Sequence, residues 1–170
     1  MRPEFTLRLL QKLKDQGIHT AIDTCGHVSP DILLKSAVLA DLFLFDIKTF
    51  SPGLHKKLTG MDNKKVLESL DIITRAGSRI YIRIPLVAGV NDFKDEIISI
   101  AGLLAKNSHA GNSSVALVEL LAYHSLGSSK YASLGMIYQG NDFRAPASGY
   151  LSELAEVFTH RDIPVRIKLH

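Results

Sequence analysis

The sequence predicts an α/β fold with parallel strands, either an open sheet or part of a (β/α) barrel. Some segments repeat apolar residues at helical spacing, while others are short unbroken apolar runs. The two kinds of segment alternate, as expected of parallel strands joined by right-handed helical crossovers. The runs are apolar on both faces, which is typical of strands in a sheet that helices cover.

The predicted helices share an apolar repeat, and several begin at a capping residue. Ser29-Pro30 and Ser51-Pro52 each place an N-cap before a first-turn proline, and Asn91-Asp92 is a further cap. The helices are expected from about Phe5 to Gly17, Ser29 to about Val38, Ser51 onward for a short stretch, Asn63 to Ala76, Asn91 to about Leu104, and Leu151 to Phe158.

The predicted strands are the short apolar runs between these helices. They are Ile18–Asp23, Leu42–Lys48, Arg79–Pro85, Ser114–Tyr123 and Ile163–Leu169. By contrast, the segment Ser125–Ser148 is rich in glycine, serine and asparagine and shows little periodicity. Loops of this length are uncommon unless they are lids or disordered. This one follows a strand's carboxyl end, where a lid would be useful.

Length and composition indicate one folded domain over residues 1–170, with 46% apolar and 22% charged residues. No apolar run reaches the ~20 residues of a membrane-spanning helix. The first residues also lack the apolar core of a signal peptide, so we expect a cytoplasmic protein without a membrane partner. The net charge is +3, but the cations are scattered and not interleaved with aromatics, which argues against nucleic-acid binding.

The single cysteine, Cys25, limits the metal chemistry available to the chain. It excludes an internal disulfide and a multi-cysteine zinc site. It also excludes an iron–sulfur cluster held by three or four thiolates of this chain. We therefore assign no metal ligands and interpret Cys25 as a small packing residue.

Polar residues lie at or near the ends of several predicted strands. They are Asp23 and Thr24, Asp46 and Lys48 with the apolar Ile47 between them, His124 and, slightly deeper in its strand, Arg83. Ligands of parallel sheets bind beyond the carboxyl ends of the strands, so these groups are expected around one hollow. Asp46 and Lys48 are two residues apart and point to the same side, ~7 Å apart. Acids and cations together predict a ligand that carries both charges.

The sequence leaves a structural interpretation open for each of these residues. Lys48 could be a surface lysine that neutralises Asp46, and Asp46 could cap the following turn. Arg83 could be an ion-pair partner, and His124 could form a hydrogen bond within its loop. Asp23-Thr24 could belong to a turn.

Several segments jointly resemble the radical S-adenosylmethionine (SAM) enzymes that activate glycyl radical enzymes, such as the pyruvate formate-lyase activating enzyme. They are GIHTAIDTCGHV (Gly17–Val28), LFLFDIK (Leu42–Lys48), HKKLTG (His55–Gly60), IRIPLVAGVND (Ile82–Asp92), AYHSLGSSKYASLG (Ala122–Gly135) and a final IPVRI. The resemblance implies a partial (β/α) barrel, truncated at its N-terminal side, that binds SAM at the carboxyl ends of its strands. It also implies a glycyl radical enzyme as partner.

The resemblance implies roles for individual residues. Asp46, Ile47 and Lys48 match the acid-x-lysine that helps to hold the methionine end of SAM. His124 matches a histidine that lies near the nucleoside part. Further site positions are matched by Asp23, Thr24 and Arg83.

The start of the sequence departs from the family pattern. The family begins with a CxxxCxxC loop that ligates a [4Fe–4S] cluster, and then has a Gly-Gly-Glu-Pro segment that contacts the SAM amino group. Neither is present, and RPEFTLRLL resembles the next segment of the family pattern. About a third of the family domain is therefore expected to be missing, and we predict that this chain alone does not cleave SAM.

Three functions stay open on this basis. The chain is a fragment of an activating enzyme, a non-catalytic partner-binding module derived from that barrel, or a different barrel enzyme. The third alternative rests on the DxKxxD motif of orotidine-monophosphate-decarboxylase-like barrels, but Ser51 stands where its last aspartate belongs. Truncation would leave the strand Ile18–Asp23 as a bare edge, so we predict a homodimer through that edge.

Overall fold

The computed structural model describes residues 2–107, 114–138 and 140–169, and within them five strands form one sheet in the order β1-β2-β3-β4-β5. The strands are β1 (Ala21–Thr24), β2 (Leu42–Asp46), β3 (Ile80–Leu86), β4 (Val115–Ala122) and β5 (Val165–Lys168). Every neighbouring pair is parallel. The predicted α/β class with parallel strands is confirmed.

Helices precede β1 and connect the successive strands. They are α1 (Pro3–Asp15), α2 (Pro30–Leu39), α3 (Pro52–Thr59), α4 (Lys64–Arg75), α5 (Lys94–Asn107), α6 (Ser128–Ser133) and α7 (Ser148–Thr159). All the predicted helices are present. The short helix α6 was not predicted, because six residues are too few to display a helical repeat. It lies in the segment predicted to be irregular, of which Gln139 is outside the described residues.

The two predicted serine N-cap positions are correct, but the serine side chains do not act as caps. Ser29 and Ser51 occupy the N-cap positions of α2 and α3, each with proline in the first turn. Neither serine side chain makes a capping hydrogen bond.

Among the described residues, no helix is long and apolar enough to cross a membrane.

The two faces of the sheet differ in burial, which corrects the prediction that helices cover both of them. Alternate residues of β2 and β3 are buried, and the residues between them are only partly buried. The buried ones pack with α4, α5 and α7 in the hydrophobic core, and they are Phe43, Phe45, Ile80, Ile82, Ile84 and Leu86. The opposite side, the charged face, carries register neighbours of β2 to β5: Asp46, Arg83, Glu119 and Arg166.

Gly26 holds the turn after β1 close to the core. Its φ angle is +74°, and an added Cβ would lie 2.7 Å from the Phe45 ring and 2.7 Å from the Ser69 Cβ. Ser69 Oγ donates a hydrogen bond of 2.6 Å to the Gly26 carbonyl. Both the backbone conformation and the close approach therefore require glycine.

We predict that Gly26→Ala lowers the free energy of unfolding by about 3 kcal/mol, because backbone strain and overpacking add. Gly17→Ala is the matched control: its φ is +68°, but its Cβ would meet nothing within 4 Å. That control should lose only about 1 kcal/mol. Denaturant unfolding measures both, and equal losses would contradict the close packing at Gly26.

Candidate functional site

The carboxyl ends of β2 and β3 bring opposite charges into contact. Asp46 and Arg83 are register neighbours, and Arg83 Nε donates to Asp46 Oδ1 at 2.8 Å. Lys48 Nζ donates to Asp46 Oδ2 at 2.8 Å, so each carboxylate oxygen has a cationic partner. The Asp46 and Arg83 side chains are only 20% and 19% exposed. Such partly buried charges are tolerated because they are paired.

Arg83 also reaches β1, where its Nη2 donates to Asp23 Oδ1. Burial by itself lowers the pKa of Arg83, but the Asp23 hydrogen bond and the charge of Asp46 outweigh it, so the pKa is raised. We call this group the Asp46 cluster. It contains two acids, Asp23 and Asp46, and two cations, Lys48 and Arg83. The cluster is formally neutral and held in place by its own contacts.

A cavity of about 390 Å³ opens beside the Asp46 cluster at the β1 side of the sheet. Its polar lining includes Asp23, Thr24, Asp46 and Lys48, and the rest is largely apolar. The volume lies within the range of about 300–1,000 Å³ that is common for small-molecule sites. An ionic wall facing an apolar wall suits a ligand with a charged end and an apolar body.

Ile47, a predicted site residue, and Cys25, which was interpreted as a packing residue, differ in what they can offer a ligand. The Ile47 side chain is 1% exposed, and its N–H donates to the Arg83 carbonyl at 2.9 Å. Only its main-chain carbonyl therefore remains for a ligand. Cys25 is exposed and lines the cavity, so its interpretation as a packing residue is wrong.

The structure does not bring His124 into the same cavity. β3 lies between β2 and β4 in the sheet, which separates their ends by roughly 10 Å. His124 is exposed and lines a second cavity of about 680 Å³, together with Tyr123, Tyr138 and Arg144. The expected single hollow is therefore two cavities along one edge of the sheet.

An aromatic contact anchors the segment Ser125–Ser148 next to His124. The Tyr123 hydroxyl donates to the Gly140 carbonyl at 2.9 Å and lies 2.8 Å from the Tyr138 hydroxyl. The hydrogen bond with Tyr138 and burial raise the pKa of Tyr123. The Tyr123 ring also meets the Phe143 ring edge-on, with centroids 5.7 Å apart. Whether this segment closes as a lid stays a prediction.

Asn91 fixes the loop that carries Lys48, a role the sequence did not indicate. Its Nδ2 donates to the Lys48 carbonyl at 2.8 Å and to the Pro85 carbonyl at 2.7 Å. Its Oδ1 accepts from the Val87 N–H at 2.8 Å. Asn91 is 6% exposed. It thereby ties the end of β2 to the end of β3.

The prediction that Asn91-Asp92 caps a helix is wrong, because α5 begins only at Lys94. Asp92 Oδ1 instead accepts from the Gly89 N–H at 2.8 Å. An asparagine before a helical repeat looks the same in sequence whether it caps the helix or crosslinks two loops. Only the strand neighbours decide which role it takes.

Two more polar side chains hold the residues just after Lys48. Asn63 Nδ2 donates to the carbonyls of Thr49 and Phe50 at 3.2 and 2.6 Å. Glu96 Oε2 accepts from the N–H groups of Phe50 and Ser51 at 2.6 and 3.0 Å. The loop beyond β2 is therefore rigidly placed, which fixes the base of the Lys48 side chain.

A second charged group, also missed from the sequence, lies on β4 and β5. Glu119 is 2% exposed, and its Oε1 accepts from Arg166 Nε at 2.7 Å, from Arg166 Nη2, and from Lys168 Nζ at 2.8 Å. Burial by itself raises the pKa of Glu119, but the hydrogen bonds from Lys168 and Arg166 outweigh it and lower the pKa. A lone glutamate in the run SVALVELLAY gives no sign of partners on a later strand.

The fold is an α/β fold in which a charged cluster and a cavity lie together at the carboxyl ends of parallel strands. The family model of the Radical SAM superfamily matches residues 1–103. The chain therefore belongs to the radical SAM superfamily. The matched range contains the whole Asp46 cluster, but not His124 or Glu119.

Curated relatives place the chain nearer to one branch of that superfamily. It is 33% identical, over its full length, to the choline trimethylamine-lyase activating enzyme of Oleidesulfovibrio alaskensis, and covers 54% of that protein. It is 33% identical, over 96% of its length, to the trans-4-hydroxy-L-proline dehydratase activating enzyme of Clostridioides difficile, covering 53% of it. The chain thus spans about half the length of these relatives. Its predicted resemblance to activating enzymes is confirmed.

A solved structure supports the partial barrel. A domain of the pyruvate-formate lyase-activating enzyme from Bacteroides vulgatus superposes with a TM-score of 0.79 at 24% identity. The match covers 98% of this chain and 91% of that domain. The predicted fold class is confirmed by this shared architecture.

We predict that Asn91→Ala lowers the free energy of unfolding by about 2–4 kcal/mol, because it leaves buried main-chain groups without partners. Amide exchange at Val87 should accelerate, since its N–H loses the Asn91 acceptor. The exposed Asn141 is the matched control, and its replacement by alanine should change stability by at most about 0.5 kcal/mol. Equal stability of the two variants would contradict the tie between β2 and β3.

Proposed function

We propose that this chain is part of an activating enzyme and forms its SAM-binding site at the carboxyl ends of the parallel strands. Such an enzyme reductively cleaves SAM to install a glycyl radical on a partner enzyme. The Asp46 cluster beside its cavity is the observation that carries the proposal. Membership of the radical SAM superfamily and the similarity to activating enzymes support it. The activity belongs to the whole enzyme, of which this chain would supply part of the site.

The Asp46 cluster matches the chemistry of the methionine end of SAM, which carries a carboxylate, an ammonium group and a sulfonium. Lys48 is 38% exposed and can turn from Asp46 toward a ligand carboxylate. Asp23 is 62% exposed and offers a carboxylate oxygen to a positive group. Arg83 pairs with the other oxygen of Asp46 and fixes the orientation of that carboxylate.

The nucleoside end would extend along the edge of the sheet toward the second cavity. His124 lines that cavity, and an imidazole can hydrogen-bond to a base or a ribose hydroxyl. Thr24 and the Ile47 carbonyl would flank the middle of the ligand. A ligand with an ionic end and a planar polar end is suited to two cavities rather than one.

The residues present do not fit a [4Fe–4S] cluster, which needs three or four thiolate ligands. The chain contains one cysteine. In the ranges 2–107, 114–138 and 140–169, no group of three or more His, Cys, Asp or Glu side chains could hold a metal ion. We therefore derive no step through a cluster and propose that this chain alone binds SAM weakly and leaves it intact.

The proposed partners are a glycyl radical enzyme and a second copy of this chain. In the described sheet, β1 has a neighbour on one side only, and such an edge readily pairs with another strand. Apolar side chains of the neighbouring cavity would be covered by the same contact. The proposed location is the cytoplasm.

A non-catalytic partner-binding module is the alternative function, and the open β1 edge of the described sheet favours it. Such a module would bind the glycyl radical enzyme but not SAM. The activating-enzyme proposal requires SAM binding at the Asp46 cluster. Calorimetry with SAM and co-purification with the partner therefore separate the two.

We predict that Lys48→Ala weakens SAM binding about tenfold or more, because it removes a charge-assisted hydrogen bond to the ligand carboxylate. The exposed Lys57 on α3 is the matched control, and Lys57→Ala should bind SAM as the wild type does. Isothermal titration calorimetry measures all three proteins. Equal affinity of Lys48→Ala and wild type would sink the assignment.

We predict that reconstitution of this chain with iron and sulfide produces no [4Fe–4S] absorbance, because one thiolate cannot hold the cluster. Chemical reductant plus SAM should then yield no 5′-deoxyadenosine. A Cys25→Ser variant treated in parallel corrects for iron bound loosely at that thiol. Cluster absorbance together with reductive SAM cleavage would overturn the prediction.

We predict a concentration-dependent dimer by light scattering, because the β1 edge offers unpaired main-chain groups. Ala21→Lys places a charge on the exposed side of that edge and should weaken the dimer through like-charge repulsion. A strictly monomeric mass at all concentrations would count against the edge contact. So would a dimer that Ala21→Lys leaves unchanged.

A further inference from the structure

The charged face holds its excess positive charge at one end. The Asp46 cluster on β1 to β3 balances two acids with two cations. On β4 and β5, one carboxylate, Glu119, pairs with two cations, Arg166 and Lys168. The second group therefore has a formal charge of +1, and an anion approaching this face is drawn to it.

The geometry of the second group leaves donors for a ligand. Arg166 and Lys168 converge on the same oxygen, Oε1 of Glu119. A guanidinium carries donors on three nitrogens and an ammonium carries three, so one oxygen uses only part of them. The side chains of Arg166 and Lys168 stay 51% and 46% exposed, although Glu119 is 2% exposed.

The buried Glu119 carboxylate fixes the relative position of the Arg166 and Lys168 side chains. Arg166 and Lys168 are two residues apart on β5, so their side chains point to the same face. Glu119 anchors both from the neighbouring strand, where it is the register partner of Arg166. A single cation would have sufficed to neutralise Glu119, and the second cation makes the group a receptor for negative charge.

We propose that Arg166 and Lys168, held by Glu119, form an oxyanion site that takes a carboxylate or phosphate group on the charged face. The planar guanidinium fork matches the oxygens of such a group, and Lys168 adds a point charge beside it. The site adjoins the Asp46 cluster, since Glu119 is the register partner of Arg83, but its two cations lie on β5 and it needs neither SAM nor an iron–sulfur cluster. Its ligand is a free oxyanion or an acidic group of a molecule lying along this face.

The test is a titration of the full chain with inorganic phosphate, and in parallel with acetate, at ionic strength held constant with sodium chloride. Chemical shifts of the ¹⁵N-labelled main-chain amides of β5 report binding in every variant, and those of the Arg166 side chain report it in the unmodified protein. We expect a saturable shift, and the more tightly bound anion identifies phosphate or carboxylate as the ligand class.

Lys168→Gln keeps the Arg166–Glu119 pair and should weaken binding about tenfold, the loss of one charge-assisted hydrogen bond. The matched control is Arg75→Gln, which removes a cation that is also ion-paired but lies on the exposed face of α4. The triple variant Glu119→Gln, Arg166→Gln, Lys168→Gln removes all three charges, so that no buried charge is left unpaired. It should not bind the anion. No saturable shift, or binding that survives Lys168→Gln and the triple variant unchanged, overturns the proposal.

Discussion

The contact between Asp46 and Arg83 is the interaction on which the site depends. The parallel register of β2 and β3 makes them neighbours, and the bond from Arg83 Nε to Asp46 Oδ1 is 2.8 Å. Neither charge could be so little exposed without the other. Once this pair is set, Lys48 has a carboxylate to meet and Asp23 has a guanidinium to accept from. One register therefore organises three side chains on three strands and a fourth, Lys48, just beyond β2.

Two different forces hold the sheet and its site. Apolar side chains on one face pack with the helices, and this burial supplies the stability of the fold. On the charged face, ion pairs link neighbouring strands and leave polar groups accessible to a ligand. Three side chains, Asn91, Asn63 and Glu96, bind the main chain of the loop after β2. They thereby fix the backbone that carries Lys48. The site is thus prepared before a ligand arrives, which reduces the entropy cost of binding.

The fold and part of the site could be predicted from the sequence because they rest on local patterns. The apolar run that ends in Asp46 and Lys48 marks both a buried strand and its carboxyl end, and the alternation of strands with helices predicts that the strands are parallel. Contacts between distant segments could not be predicted in this way. The two faces of the sheet, the partners of Glu119 and the crosslink by Asn91 depend on which strands are neighbours. The separation of His124 from Asp46 depends on the intervening strand β3, which a sequence pattern does not measure.

A double-mutant cycle between Asp46 and Arg83 tests the central dependence most directly. The free energies of unfolding of wild type, Asp46→Asn, Arg83→Gln and the double variant give the coupling between the two side chains. We expect a favourable coupling of about 1.5 kcal/mol or more, as for other partly buried charge-assisted hydrogen bonds. Losses that add to within about 0.5 kcal/mol would contradict it, because the two residues would then act independently.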